Sequence, residues 1–137
     1  MKWIVAILLS VFFVSPAMAD LNITVDLSDQ VMIVDTPGEG YAVWDVSTGR
    51  KGKGTPTGYY QPYLLKKMHY SSKYNNAPMP YSIFFEGGYA IHGTNAIQKL
   101  GMKASHGCVR LHPDNARLLF HLVNTYGKEN THIEIVP

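Results

Sequence analysis

Disulfides are excluded by arithmetic, because the 137-residue chain holds a single cysteine, Cys108. The same count excludes a CxxC-type metal site. An excess of charge of one sign is also missing. Twelve Lys and Arg against ten Asp and Glu leave a formal net charge of +2, without the concentrated basic face that nucleic acid requires. No apolar run reaches the ~18 residues of a membrane-spanning helix. There is no internal repeat, low-complexity tract or linker, and the length suits one domain. With 46% hydrophobic and 16% charged residues, the chain has enough apolar material to fold rather than stay disordered.

The first residues read as an address label. Lys2 makes the end positive, residues 3–14 are apolar apart from Ser10, and Ala17, Met18 and Ala19 precede Asp20. A charged end, a short apolar stretch and a small-x-small site make a secretory signal peptide. The expected division is a leader over 1–19 and a folded domain over 20–137. The apolar stretch would form a helix of roughly 18 Å, short of a ~30 Å hydrocarbon core, so no stable membrane anchor is expected. After export to the periplasm or cell envelope, an unpaired thiol is either buried filler or a reactive group.

The remainder alternates apolar and polar residues over 21–27, 31–35, 41–46, 81–85, 89–91 and 132–136, which predicts strands. Residues 49–58 hold four glycines and a proline and read as loop. Residues 61–80 read as an irregular excursion or lid flanked by short strands, with Tyr63, Tyr70 and Tyr74 as candidate substrate contacts. Leu119, Leu122, Val123 and Tyr126 fall on one helical stripe, with Pro113 suited to the first helical position and Gly127 to a left-handed stop. The expected fold class is mainly β (a β-rich α+β domain): antiparallel sheets forming a small sandwich or barrel, with one clear helix over 113–126.

The chemistry concentrates between Ile91 and Leu111. Cys108 follows His106 and Gly107, and His92 lies sixteen positions upstream, so any pairing of thiol and imidazole must be made by the fold. A thiol of pKa ~8.5 is only a few per cent ionised at neutral pH. An imidazole can take its proton, and an imidazolium–thiolate pair would keep Cys108 open to alkylation below pH 7 and make that alkylation depend on His92. Gly107 lets the backbone bend and turn N–H groups to one point, as an oxyanion hole needs. Arg110 would share a face with Cys108 on extended backbone and could grip a carboxylate. The bland reading stands beside this one, since a lone cysteine is most often a small buried hydrophobe. His69, His112, His121 and His132 read as surface or structural residues. His92, His106, Cys108 and His112 could together bind zinc, but that set would leave no open position; no metal and no cofactor is expected.

The run Ser105-His106-Gly107-Cys108-Val109-Arg110-Leu111, preceded by Ile91-His92-Gly93-Thr94, resembles the L,D-transpeptidase catalytic domain (the YkuD family). Val46 to Gly49, Thr55 to Tyr59, Met79-Pro80-Tyr81 and Gly88-Tyr89-Ala90 resemble further segments of that family. The resemblance implies an enzyme acting on peptidoglycan stem peptides at the bond between the third residue, at its L-centre, and the terminal D-Ala. It implies Cys108 as nucleophile and His92 as general base, later acid. A thioester would be resolved by an amine to give a 3–3 cross-link. A nearby backbone carbonyl or hydroxyl would orient the histidine, with Thr94 and Ser105 as candidates, and oxyanion donors would come from the backbone around His106, Gly107 and Cys108. Gly93 is counted among the orienting residues, and Arg110 and Tyr81 among the substrate-binding ones. Two alternatives remain open: an L,D-carboxypeptidase or related hydrolase on the same scaffold, and a non-catalytic wall-binding module. No wall-binding module is recognisable in the sequence, so the wall would be found by the cleft itself or through a wall-associated protein partner.

Overall fold

The computed structural model describes residues 2–12 and 19–137. Ala17 and Met18 of the expected cleavage motif lie outside the described residues. Residues 2–12 form no helix or strand, and Trp3, Ile4, Leu8 and Leu9 are all exposed. Among the described residues no helix is long and apolar enough to cross a membrane.

Among the described residues nine strands form one curled sheet. In chain order they are β1 (Leu21–Asp26), β2 (Val31–Thr36), β3 (Gly40–Ser47), β4 (Gly58–Tyr60), β5 (Leu64–Ser71), β6 (Ala77–Glu86), β7 (Tyr89–Gly93), β8 (Val109–Leu111) and β9 (Thr131–Val136), with helix α1 (Pro113–Tyr126) between the last two. The spatial order is β4-β9-β1-β2-β3-β8-β7-β6-β5. Alternation decides which face each residue takes. Leu21, Ile23 and Val25 of β1, Met32 and Val34 of β2, and Ile133 and Ile135 of β9 point inward and are buried. They meet Ala116, Leu119 and Val123 of α1 in one core. The buried stripe of α1 is therefore centred one turn earlier than the sequence pattern suggests, with Leu122 and Tyr126 packed at its margin. Pro113 opens the helix, and Gly127 closes it at φ 91°, ψ 149°. That is an extended conformation open to glycine rather than the left-handed one expected.

The sheet is mainly antiparallel, as expected, but two pairs are parallel: β1 with β9, and β7 with β8. The second matters most. A parallel pair cannot be joined by a tight turn, so the chain from Thr94 to Cys108 makes a crossover that returns beside β7. The expected excursion over 61–80 is instead a long hairpin, β5 against β6, with Asn75 and Asn76 at positive φ in its turn. Lys66, Lys67, Pro78 and Pro80 obscure the alternation there. All four sit where the sheet has a free edge: β5 is the terminal strand, and β7 pairs with β6 only beyond Ile83. Lysines and prolines are tolerated at such edges and guard them against further pairing.

Candidate active site

His92 is the fourth residue of β7, whose other face sends Ile91 into the core. Its side chain is buried, and Nδ1 lies 2.8 Å from the Gly93 carbonyl. A carbonyl can only accept, so in the neutral ring Nδ1 carries the proton and Nε2 is left as the free acceptor. Burial pulls the His92 pKa down to about 4; the Gly93 bond opposes this, and the charges of Arg110 and His69 add to it.

Cys108 immediately precedes β8. Parallel pairing sets Ile91 opposite Val109 and His92 opposite Arg110. Val109 goes into the core, so Cys108 and Arg110 are turned to the other side, where His92 lies. All three line one cleft of about 830 Å³. The thiol is half-buried against Met79, Phe84 and Ala90, with Sγ 3.9 Å from the Gly88 carbonyl. Burial raises its pKa, while a backbone hydrogen bond from Ala90 and the Arg110 charge pull it back. Both shifts favour neutral forms. These directions run against the ion pair expected from the sequence.

The loop carrying the thiol is fixed from several sides. The Ser105 hydroxyl donates to the Cys108 carbonyl at 2.6 Å and accepts from the Gly107 N–H at 3.1 Å. Thr55 donates to the Gly107 carbonyl at 2.7 Å. The Thr48 carbonyl accepts from both Ala104 and Ser105, and Thr48 is itself held by the buried Gln30. Gly107 has φ 124°, and a Cβ there would stand 2.4 Å from Cε1 of Tyr89. Only glycine allows this close approach.

A family model for the L,D-transpeptidase catalytic domain matches residues 21–135. The chain belongs to this family. It is 31% identical to the L,D-transpeptidase YbiS of Escherichia coli K12, over 59% of this chain and 34% of that protein. It is 30% identical to YqjB of Bacillus subtilis 168, over 70% of this chain and 61% of that one. The chain thus spans about a third of the length of the first relative. Among solved structures, an L,D-transpeptidase from Stackebrandtia nassauensis aligns at TM-score 0.75 and 25% identity, covering 88% of this chain and 57% of that one. One from Mycobacterium smegmatis, at TM-score 0.76 and 18% identity, covers 87% and 59% and shares the fold.

Other residues of the family pattern fall only partly where expected. The histidine is held by the carbonyl of Gly93, one of the expected orienting residues, and not by Thr94 or Ser105. Thr94 lines the cleft and its hydroxyl accepts from the Ala96 N–H. Ser105 holds the loop that carries Cys108 instead. Gly93 lets β7 approach α1: a Cβ there would lie 3.3 Å from both Ala116 and Pro113. Tyr81 does not line the cleft; it packs edge-on against Phe120 of α1, ring centroids 5.5 Å apart. Tyr63 and Tyr70 are not in the lining either. Tyr74 is, and its ring stacks on His106 at 4.1 Å. The zinc set is not brought together, since His112 caps α1, and among the described residues no three His, Cys, Asp or Glu are grouped for a metal.

Sequence reasoning missed three contributors. His69 was read as a surface or structural residue, yet it lines the cleft and packs edge-on against Phe84. Thr55 and Gln30 hold the loop through contacts 52 and 18 residues away in sequence, a range at which no local pattern gives a signal.

Proposed function

We propose that Cys108 is the nucleophile and His92 the general base of a peptidoglycan L,D-transpeptidase acting in the cell envelope. The observation that carries this reading is the parallel β7–β8 register, which sets the one thiol and a neutral imidazole with a free Nε2 into a single cleft. Nε2 takes the S–H proton as sulfur attacks the carbonyl between the third stem residue and D-Ala. The oxyanion is received by backbone N–H groups of His106 and Cys108, because the Gly107 N–H is already donated to Ser105. His92 returns the proton to the departing D-Ala amine, and a thioester remains. The acceptor amine then attacks, gives its proton to His92, and releases the thiol. Family membership and the expected leader support placing the reaction in the cell wall.

The charge around the cleft supports an anionic donor. No Asp or Glu lines it. Burial and the charges of Arg50, Arg110, Lys53 and Lys73 together hold the His106 pKa below its usual value. Lys73 and Arg110 in the lining, with the charges of Arg50 and Lys53 felt at His106, favour a peptide rich in carboxylates, as stem peptides are. The test is incubation with a tetrapeptide muropeptide followed by mass spectrometry. Dimers joined 3–3 are expected, and Cys108→Ala yields none. Tripeptide with free D-Ala and no dimer would move the assignment to an L,D-carboxypeptidase; full activity in Cys108→Ala would overturn the nucleophile.

A further inference from the structure

A second concavity lies among β4, β9 and β1, at the other end of the strand order. Strands β9 and β1 send Ile133 and Ile23 into the core, so their alternate residues face outward. Edge strand β4 curls against β9, with Tyr59 opposite Glu134. The result is a groove of about 610 Å³ whose polar lining is Asn22, Thr24, Tyr59, Gln61, His132 and Glu134. It shares no lining residue with the cleft.

Three features of this groove point to one kind of ligand. Tyr59 is 82% exposed, although an aromatic ring with no packing role is costly to leave in water. It stands opposite Glu134 in the β4–β9 pairing, and that carboxylate raises the pKa of its phenol. Around it stand two amides, a hydroxyl, a carboxylate and an imidazole, the last fixed by Asp20 at 2.6 Å. No Lys or Arg lines the groove, in contrast to the cleft, which Lys73 and Arg110 line. A site without cations has no means of holding a polyanionic peptide. Hydrogen-bonding groups beside an exposed aromatic face suit an uncharged sugar, whose C–H face stacks while its hydroxyl and acetamido groups bond.

We propose that this groove binds the uncharged N-acetylhexosamine chain of the wall, so that the enzyme holds glycan on one face while the cleft receives the anionic stem. The choice of sugar rests on the wall-enzyme reading above. The experiment separates the two. Chitotetraose titrated into the 15N-labelled full chain is expected to shift amides of Asn22, Thr24, Tyr59 and Glu134, and not those of Tyr74 or His106. Tyr59→Ala should weaken binding roughly fivefold or more, the contribution expected of an aromatic face, and Tyr59→Phe should retain most of it. Turnover of a glycan-free tetrapeptide should be equal in all three proteins. Absence of shifts at the groove, or shifts confined to the cleft, would overturn the proposal. So would the same shifts arising with protein concentration alone, which would mark the face as a contact between two copies. If the wild type processes no tetrapeptide, the proposed activity fails, while groove binding is still read directly.

Discussion

The protonation state of the resting site can be tested by alkylation of Cys108 with iodoacetamide from pH 5 to 9, in the wild type and in His92→Ala. Only the thiolate reacts. With its pKa raised by burial, the thiol should react at a rate that climbs about tenfold per pH unit through neutrality. At pH 7 even an unperturbed thiol of pKa ~8.5 is only ~3% ionised, and this one is less so. His92, with its pKa near 4, is neutral over the whole range and lends no charge to the sulfur. His92→Ala should therefore change alkylation by less than about threefold, while acyl transfer falls ~100-fold or more because the general base is gone. The separation of the two effects is the signature of a neutral pair. A rate that stays level between pH 5 and 7, and that collapses with His92, would refute the reasoning. It would show an imidazolium–thiolate pair held against its burial.

Three further predictions follow from the same contacts. His92 binds a proton more weakly when folded (pKa about 4) than when unfolded (6.5), so stability should fall as pH drops from 6.5 to 4, by about 3 kcal/mol at most; urea denaturation of wild type against His92→Phe measures it, and parallel curves would dismiss it. Ser105→Ala removes the partner of both the Gly107 N–H and the Cys108 carbonyl; it should cost about 1–3 kcal/mol and lower kcat more than it raises KM, and kinetics unchanged in a folded variant would contradict the role given to the loop. Gly107→Ala, with a Cβ driven into Tyr89, should abolish acylation by mass spectrometry while circular dichroism keeps the β signature; adduct formation at the wild-type rate would mean that the loop is not held as described.

How much of this was legible in the sequence depends on range. Strands β1, β2, β3 and β9 could be read because each has one buried and one wet face, and period-two alternation records that directly. The β5–β6 hairpin could not, because its edge position admits Lys66, Lys67 and two prolines that break the pattern. Cys108 and His92 were legible as chemistry, through the family motif, but not as electrostatics. Burial decides their proton affinities, and that of Cys108 is made by Met79, Phe84 and Ala90 from other strands. The orienting bond of His92 goes to a backbone carbonyl, which every residue possesses, so no side-chain type could announce it. Tyr81 shows the opposite failure: it sits in a family-like segment, yet at φ 54° its ring packs against Phe120.

Charge along the chain connects fold to function. From Asp20 to Asp45 there are six acidic residues and no Lys or Arg; from Arg50 to Arg110 there are nine Lys and Arg and a single acid, Glu86. The near-zero net charge conceals this division. The sheet order places β1, β2 and β9 towards one end and β5 to β8 at the other, so the division in sequence becomes a division in space. The cationic half carries the thiol, the imidazole and the cleft; the half without cations in its groove carries the exposed tyrosine. A field of this kind would orient the molecule on a surface of anionic peptides before any contact forms, and it weakens with salt over a Debye length of about 8 Å at physiological ionic strength.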